Sequence, residues 1–338
     1  LTHDRPIEVP CDDSVVRVAG STLLPVRRAR GFAPLPVTLA AGTRPVLAVG
    51  GELKNTFCLA GGGQAWLSQH LGDMENLATL DAFERTVAHF GQLYDLGPEA
   101  VAVDAHPGYS TSRWARRNHA DRIVEVQHHH AHIAAIMAEH ECDPAVPVIG
   151  FAFDGTGYGH DGTIWGGEVL LASADRAERV RHLHPVQLPG GDAAVRHPCR
   201  IALSHLAAAG VGWDPDLSPV AAVGDDTALL RQQLERRVAC VPTTSMGRLF
   251  DAVASLLGLR HEIGYEAQAA IDLEIAASGA TGSAPAYAFG LDGASFDQRP
   301  LLRAVVDDLR SGVPVADIAN GFHHAVVDAI DRIATELR

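Results

Sequence analysis

The 338-residue sequence predicts an α/β fold that occurs twice in tandem, as two lobes with a block of helices inserted in the second. Three observations predict it. Between Pro45 and Glu139, short apolar runs alternate with longer stretches whose apolar residues recur at three and four, in the order β-β-β-α-β-α-β-α. From Val146 the same opening recurs as strand, glycine turn, strand, strand. The segments L-A-V-G-G-E-L-K-N-T-F-C-L-A and G-F-A-F-D-G-T-G-Y-G-H-D-G-T-I-W-G-G-E occupy equivalent places in the two copies, a duplication of topology rather than of residues.

Leu1–Leu39 holds two short extended pieces and then P-V-R-R-A-R-G-F-A-P-L-P, whose prolines and arginines suit a linker or a strap over a neighbouring surface, with a disordered tail as the rival reading. Pro45–Val49 reads as an apolar strand, Gly50–Asn55 as a turn, and Thr56–Ala60 and Ala65–Leu67 as two further strands. Asn76–Leu93 is predicted helical because Leu77, Leu80, Phe83, Val87, Phe90 and Leu93 share one face. Strand Ala100–Val103, a short helix near Thr111–Arg117, strand Ile123–Val126 and helix His128–Glu139 complete the first copy. In the second, Val146–Phe153 is a strand, Asp154–Gly162 a glycine turn, and Thr163–Ser173 and Val180–Val186 strands. Leu188–Asp192 reads as a loop. Helices follow near Pro198–Ala209, Ala228–Val238, Met246–Leu257 and Tyr265–Ala277, so the insertion spans about 188–285, and Val315–Arg338 is a long helix. The β-α-β-α that closes the first copy is not found again after Val315–Arg338, so the chain reads as a fragment. Two lobes that each open on a glycine-turned hairpin resemble the ribonuclease-H-like architecture of actin, hexokinase and Hsp70. That resemblance implies hairpins facing across a cleft and holding a nucleotide's phosphates.

Composition narrows the function. Apolar residues make up 47% of the chain, enough for a sizeable core, and a net charge of −14 disfavours a nucleic-acid-coating surface. The apolar runs are too short to span a bilayer, and no basic-then-apolar leader opens the chain. Cys11, Cys58, Cys142, Cys199 and Cys240 are scattered without a C-x-x-C pair, which suits a reducing cytosol and excludes a zinc ribbon.

The chemistry concentrates in Val126–Glu168. Four histidines fall within five positions, His128, His129, His130 and His132. On a helix, His128 and His132 share a face and reach one ion, with Asp154 supplying an oxygen from a neighbouring strand end; the rival reading of the pair is a solvated histidine-rich surface with a chance four-residue spacing. Two imidazoles, a carboxylate and open positions describe a catalytic divalent-metal site, and that donor set suits zinc, iron or manganese. Gly155, Gly157 and Gly159, with Thr156 among them, bring backbone N–H groups close to an anion. Lys54 and Asn55, beside Gly50 and Gly51, are candidates for the phosphate side, with a solvated turn as the rival reading for Lys54.

Six motifs then carry a more specific resemblance: L-A-V-G-G-E-L-K-N-T-F-C-L-A, L-S-Q-H-L-G-D-M-E-N, V-Q-H-H-H-A-H-I-A, F-D-G-T-G-Y-G-H-D-G-T-I-W-G-G-E, S-M-G-R-L-F-D-A-V-A and Y-E-A-Q-A-A-I. They resemble the HypF family, the carbamoyltransferases of [NiFe]-hydrogenase maturation. T-H-D-R-P-I and R-R-A-R-G-F-A-P resemble the end of that family's YrdC-like domain and its exit linker, so residues 1–41 are expected to be a domain remnant and 42–338 the carbamoyl-transfer domain, with lobes 42–143 and 144–338. The resemblance implies that carbamoyl phosphate and ATP yield carbamoyladenylate. Its carbamoyl group passes to the C-terminal cysteine of the partner HypE, in the cytoplasm, toward the cyanide ligand of hydrogenase iron. The family's S-G-G-V-F-Q-N and N-D-G-G motifs, the latter with a further metal-ligand Asp, are not found here. By the wider superfamily's pattern, Gly247 and Asp251 face adenine and ribose, against the rival reading of an ordinary helix start. Asp192 is a candidate for the ribose or the metal's water shell. His129 and His130 are expected to pack near the metal, and Glu168 to be structural. Two other readings stay open: an O-carbamoyl or threonylcarbamoyl transferase on the same fold, and a non-catalytic nucleotide-binding actin-like protein, which would need no metal triad.

Overall fold

The computed structural model describes Asp4, Ile7 and residues 9–39 and 42–338. The chain divides into two compact units, Leu1–Val146 and Pro147–Arg338.

In the first unit, β1 (Val15–Ala19) and β2 (Thr22–Arg27) form a separate antiparallel hairpin, every residue of which is exposed. The main sheet has six strands: β3 (Pro36–Thr38), β4 (Val46–Ala48), β5 (Cys58–Gly61), β6 (Gln64–Leu67), β7 (Ala100–Asp104) and β8 (Ile123–Val126), in the order β3-β6-β5-β4-β7-β8. β4, β7 and β8 run parallel, while β3, β6, β5 and β4 pair antiparallel. The parallel pairs need crossovers, supplied by α1 (Leu77–Tyr94) and α2 (Ser110–Asn118), and α3 (His128–Glu139) follows β8. Asn76 starts α1 by accepting the Ala78 N–H at 2.9 Å, and Asp95 ends it in the left-handed conformation. Phe83 and Phe90 of its stripe are buried and meet Phe57 edge-on at 5.8 and 5.0 Å between centroids. Leu77 and Leu93, expected on the same face, lie at the helix ends and are exposed, and the buried residues of α1 all fall in its middle, from Phe83 to Phe90.

The second unit opens on an antiparallel meander of β9 (Val148–Tyr158), β10 (Ile164–Ala172) and β11 (Ala177–Leu183), the counterpart of β4, β5 and β6. It continues through β12 (Val186–Pro189), α4 (Asp192–Arg196), α5 (Pro198–Ala208), α6 (Ser218–Val223), α7 (Thr227–Arg236), β13 (Cys240–Thr243) and α8 (Met246–Leu256). α9 (Gln268–Ser278), β14 (Gly290–Asp292), β15 (Ser295–Asp297), α10 (Arg299–Arg310) and α11 (Val315–Leu337) complete it. Its seven-stranded sheet follows β12-β13-β10-β11-β15-β14, with β9 on β10. Leu203, Leu249, Val253, Phe289, Phe296 and Phe322 are among its fully buried core residues.

Two expectations are corrected here. Asp154–Gly162 is not a turn: β9 continues to Tyr158, since Gly157 pairs with Trp165 and Tyr158 with Ile164, and only Gly159–Gly162 reverses the chain. Asp154 therefore lies inside a strand, opposite a bulge at Gly166, whose φ is +153°. Leu188–Asp192 is not a loop throughout, because β12 runs to Pro189 and Asp192 opens α4.

Candidate metal and phosphate site

The site begins with what holds Gly50–Asn55 in shape. Gly50 has a φ of +74°, and a Cβ there would lie 2.2 Å from the Thr56 carbonyl oxygen, so only glycine fits. Asn55 is 1% exposed and donates both amide hydrogens within the segment, to the Val49 carbonyl at 3.0 Å and the Gly51 carbonyl at 2.7 Å. Those hydrogens brace the loop and are not directed to a phosphate. Lys54 is exposed, with its backbone N–H on Asp73 at 2.8 Å. Three residues that the sequence reading missed tie the loop to α2. Glu52 accepts the Ser110 N–H at 2.5 Å and its hydroxyl at 2.8 Å, and Thr111 donates to the Gly50 carbonyl at 3.0 Å. A carboxylate at a helix N-terminus is a recognisable cap only when it is local; Glu52 is 58 residues away.

α3 sets the histidines. Gln127 caps it by accepting the His130 N–H at 2.9 Å, which places His128 at the first helical position. His128 and His132 then stand one turn apart with their Nε2 atoms 3.2 Å from each other. His129 points the other way, fully buried against Gln127 at 3.0 Å. The Nδ1 of His128 lies 2.6 Å from Oδ2 of Asp104, the last residue of β7. A cavity of about 530 Å³ runs along this wall, lined by Gly50, Gly51, Ala131, Asp104, His128 and His132. Two Nε2 atoms at this spacing on one helix face can be ligands to one ion after a small rotation of either ring.

In the second unit, β9 carries Asp154, Gly155, Thr156 and Gly157, and α8 packs against them. Ser245 caps α8 by accepting the Arg248 N–H at 3.0 Å, and its hydroxyl lies 2.8 Å from the carbonyl oxygens of both Asp154 and Gly155. A Cβ on Gly247 would meet the Gly155 Cα at 2.8 Å, so Gly247 is the close-contact point of helix and strand. Gly159 opens the turn after β9, and a Cβ there would lie 2.2 Å from Trp165 Nε1. Asp251 is 1% exposed and pairs with Arg248 at 3.0 Å; burial pushes its carboxyl up to about 6, against the pull of the guanidinium. The side chain expected to face ribose is thus enclosed within α8. Asp192 is exposed at the start of a five-residue helix. Glu168 is fully buried, accepting the Gly166 N–H at 3.1 Å, Arg179 Nε at 2.5 Å and the Thr244 hydroxyl. It holds the bulge beside Asp154.

Three thiols are held in the protonated form: burial pushes Cys58 up to about 11 and raises Cys199 and Cys240. Among the described residues, no helix is long and apolar enough to cross a membrane.

Two open mixed α/β sheets that begin on equivalent meanders, one of them joined to a histidine pair and a glycine loop, define the class as a duplicated ribonuclease-H-like domain. Residues 41–139 match the HypF Kae1-like domain, and residues 150–338 match the second subdomain of the carbamoyltransferase Kae1-like domain. The chain belongs to the carbamoyltransferase HypF family. It is 41% identical to carbamoyltransferase HypF of Synechocystis sp. over 99% of this chain and 46% of that one. Against carbamoyltransferase HypF of Rhizobium leguminosarum bv. viciae it is 40% identical, over 95% of this chain and 42% of the relative. It is also similar to the crystal structure of full-length HypF in the phosphate- and nucleotide-bound form, with a TM-score of 0.89 and 36% identity over 97% of this chain and 43% of that one. The chain spans less than half the length of these relatives.

Proposed function

We propose that this chain transfers a carbamoyl group from carbamoyladenylate, made from carbamoyl phosphate and ATP, to the C-terminal cysteine of HypE in the cytoplasm, for the cyanide ligand of [NiFe]-hydrogenase. The observation that carries the proposal is the paired Nε2 atoms of His128 and His132, 3.2 Å apart beside the cavity. His128, His132 and Asp154 would hold a divalent ion, zinc or iron. Bound there, it would supply Lewis acidity toward oxygen. The donor set fits: the two imidazole nitrogens converge on one helix face, and a carboxylate would complete a site with open positions.

The chain's own groups do the rest. The Gly50–Gly51 segment, which has no side chains and is braced by Asn55, Glu52 and Thr111, offers backbone N–H groups to phosphate. Gly155, Thr156, Gly157 and Gly159 present the second backbone strip, with Gly247 at the start of α8 beside it. Lys54 stands at the edge of the first strip as a cation for the phosphate side, and Asp192 is kept as a candidate for ribose. In the transfer, the acceptor sulfur bonds to the carbamoyl carbon, the bond from that carbon to the phosphate oxygen breaks, AMP departs and the thiol gives up its proton. The raised thiols of Cys58, Cys199 and Cys240 agree with a nucleophile brought by the partner.

The test places this chain in the Synechocystis relative in exchange for the region it matches, then introduces His132→Ala. With carbamoyl phosphate, ATP and HypE supplied, pyrophosphate release is expected to continue while no carbamoylated cysteine is found by mass. Modification of HypE at the parental rate would make the metal structural and overturn the mechanism.

A further inference from the structure

Asp104 was not among the residues that the sequence singled out, yet it touches His128 more closely than any other side chain shown in contact with it. It closes β7, and its side chain is 9% exposed. Both carboxylate oxygens are engaged. Oδ1 accepts the His106 N–H at 2.7 Å, and Oδ2 lies 2.6 Å from His128 Nδ1. The backbone carbonyl of Asp104 accepts the Ser112 hydroxyl at 3.3 Å, fixing the strand end to α2. The carboxylate is therefore held by the backbone on one side and meets the imidazole on the other. An ionised carboxylate only accepts, so the proton of this contact sits on Nδ1. A neutral imidazole protonated at Nδ1 carries its lone pair on Nε2, the atom that faces His132 Nε2 at 3.2 Å.

We infer that Asp104 is the positioning residue of the metal site: it selects the Nδ1–H tautomer of His128, fixes the ring plane and makes Nε2 a stronger donor to the ion. The inference rests on the metal reading given above. Its geometry lies wholly in the first unit and needs no ion to be observed. The topology brings the two together across 24 positions: β7 and β8 are parallel neighbours, with Asp104 paired to Val126, two residues before His128.

The experiment uses the metal-free 338-residue chain, zinc competition against a chromophoric chelator, and 15N spectra of histidine-labelled protein, with the His128 signals assigned by their loss in His128→Asn. Asp104→Ala is expected to weaken zinc binding by about 10- to 100-fold. It should also convert His128 in the metal-free protein from the Nδ1–H form to a mixture of tautomers. Asp104→Asn keeps an oxygen acceptor without the charge, so it should retain the tautomer and recover part of the affinity. A merely structural carboxylate would not produce this graded order in a protein whose circular dichroism is unchanged. His132→Ala is the control for the site itself. If His132→Ala binds zinc as tightly as the parent, the metal reading fails and this inference falls with it. If His132→Ala loses zinc but Asp104→Ala binds as the parent does, with His128 still Nδ1-protonated, the site stands and the role of Asp104 is refuted.

Discussion

His205 shows what one enclosed side chain does to the pH dependence of the fold. It lies on α5 at 1% exposure, with Nδ1 3.4 Å from Gln298 Nε2, and burial lowers its pKa to about 3. The folded state therefore keeps it neutral, while the unfolded chain binds a proton below about pH 6.5. Its contribution to stability is complete above that pH and is lost as pH falls from about 6.5 toward 3. The slope for one proton is about 1.4 kcal/mol per pH unit. That slope is approached only below about pH 6, so urea unfolding at pH 7, 6 and 5 should show a loss of about 2 kcal/mol in all from this group, steeper from 6 to 5 than from 7 to 6, and His205→Leu should flatten it relative to the parent. An unchanged slope would place the proton uptake on other histidines. His128 and His132 were legible from spacing alone because a four-residue interval on a helix has one geometric meaning. Asp104 and Glu52 were not, since each meets its partner through parallel strands or across 58 residues of chain.

At the scale of elements, the contact of α8 with β9 holds the backbone around Asp154. Ser245 is at once the cap of α8 and the tether of the Asp154 and Gly155 carbonyls. Ser245→Ala is expected to cost about 1 kcal/mol from the cap alone. Gly247→Ala drives a methyl against Gly155 and is expected to cost about 1–3 kcal/mol. Because both substitutions act on one contact, the double variant should lose less than the sum, measurable by a double-mutant cycle in urea. Additive losses would mean that the two residues support different parts of the unit. The sequence placed α8 at Met246–Leu257, within one residue of its observed end. It misread β9, since glycines that permit a turn are equally at home where a strand passes under a helix. The three-residue strands β14 and β15 escaped because so few residues carry no period.

For the whole molecule, each unit has its own buried core, Phe57, Phe83 and Phe90 in the first and Phe289, Phe296 and Phe322 in the second. Residues 147–338 expressed alone should give dispersed amide resonances and a cooperative melt. A molten product would show that the core depends on the rest of the chain. Residues 1–146 retain His128, His132 and Asp104 but not Asp154. On the proposed ligand set, their zinc affinity should fall by more than about tenfold, the lower range for losing even an outer carboxylate. Equal affinity would remove Asp154 from the site. The duplicated strand order was readable from the alternation of short and long apolar segments.

The tryptophans give these units separate optical signatures. The chain has four: Trp66 and Trp114 in the first unit, Trp165 and Trp213 in the second. Trp66 stacks on Tyr94 at 4.4 Å and Trp114 meets Phe83 at 5.0 Å, so the first pair is set among aromatic rings. In the second pair each indole lies under a guanidinium, Arg179 at 4.1 Å and Arg231 at 4.5 Å. A chain with Trp66 and Trp114 replaced by phenylalanine emits from the second unit alone. Trp165 also donates to Asp161 at 3.0 Å on the β9–β10 hairpin, so its emission reports on the segment that carries Asp154 without any label being attached.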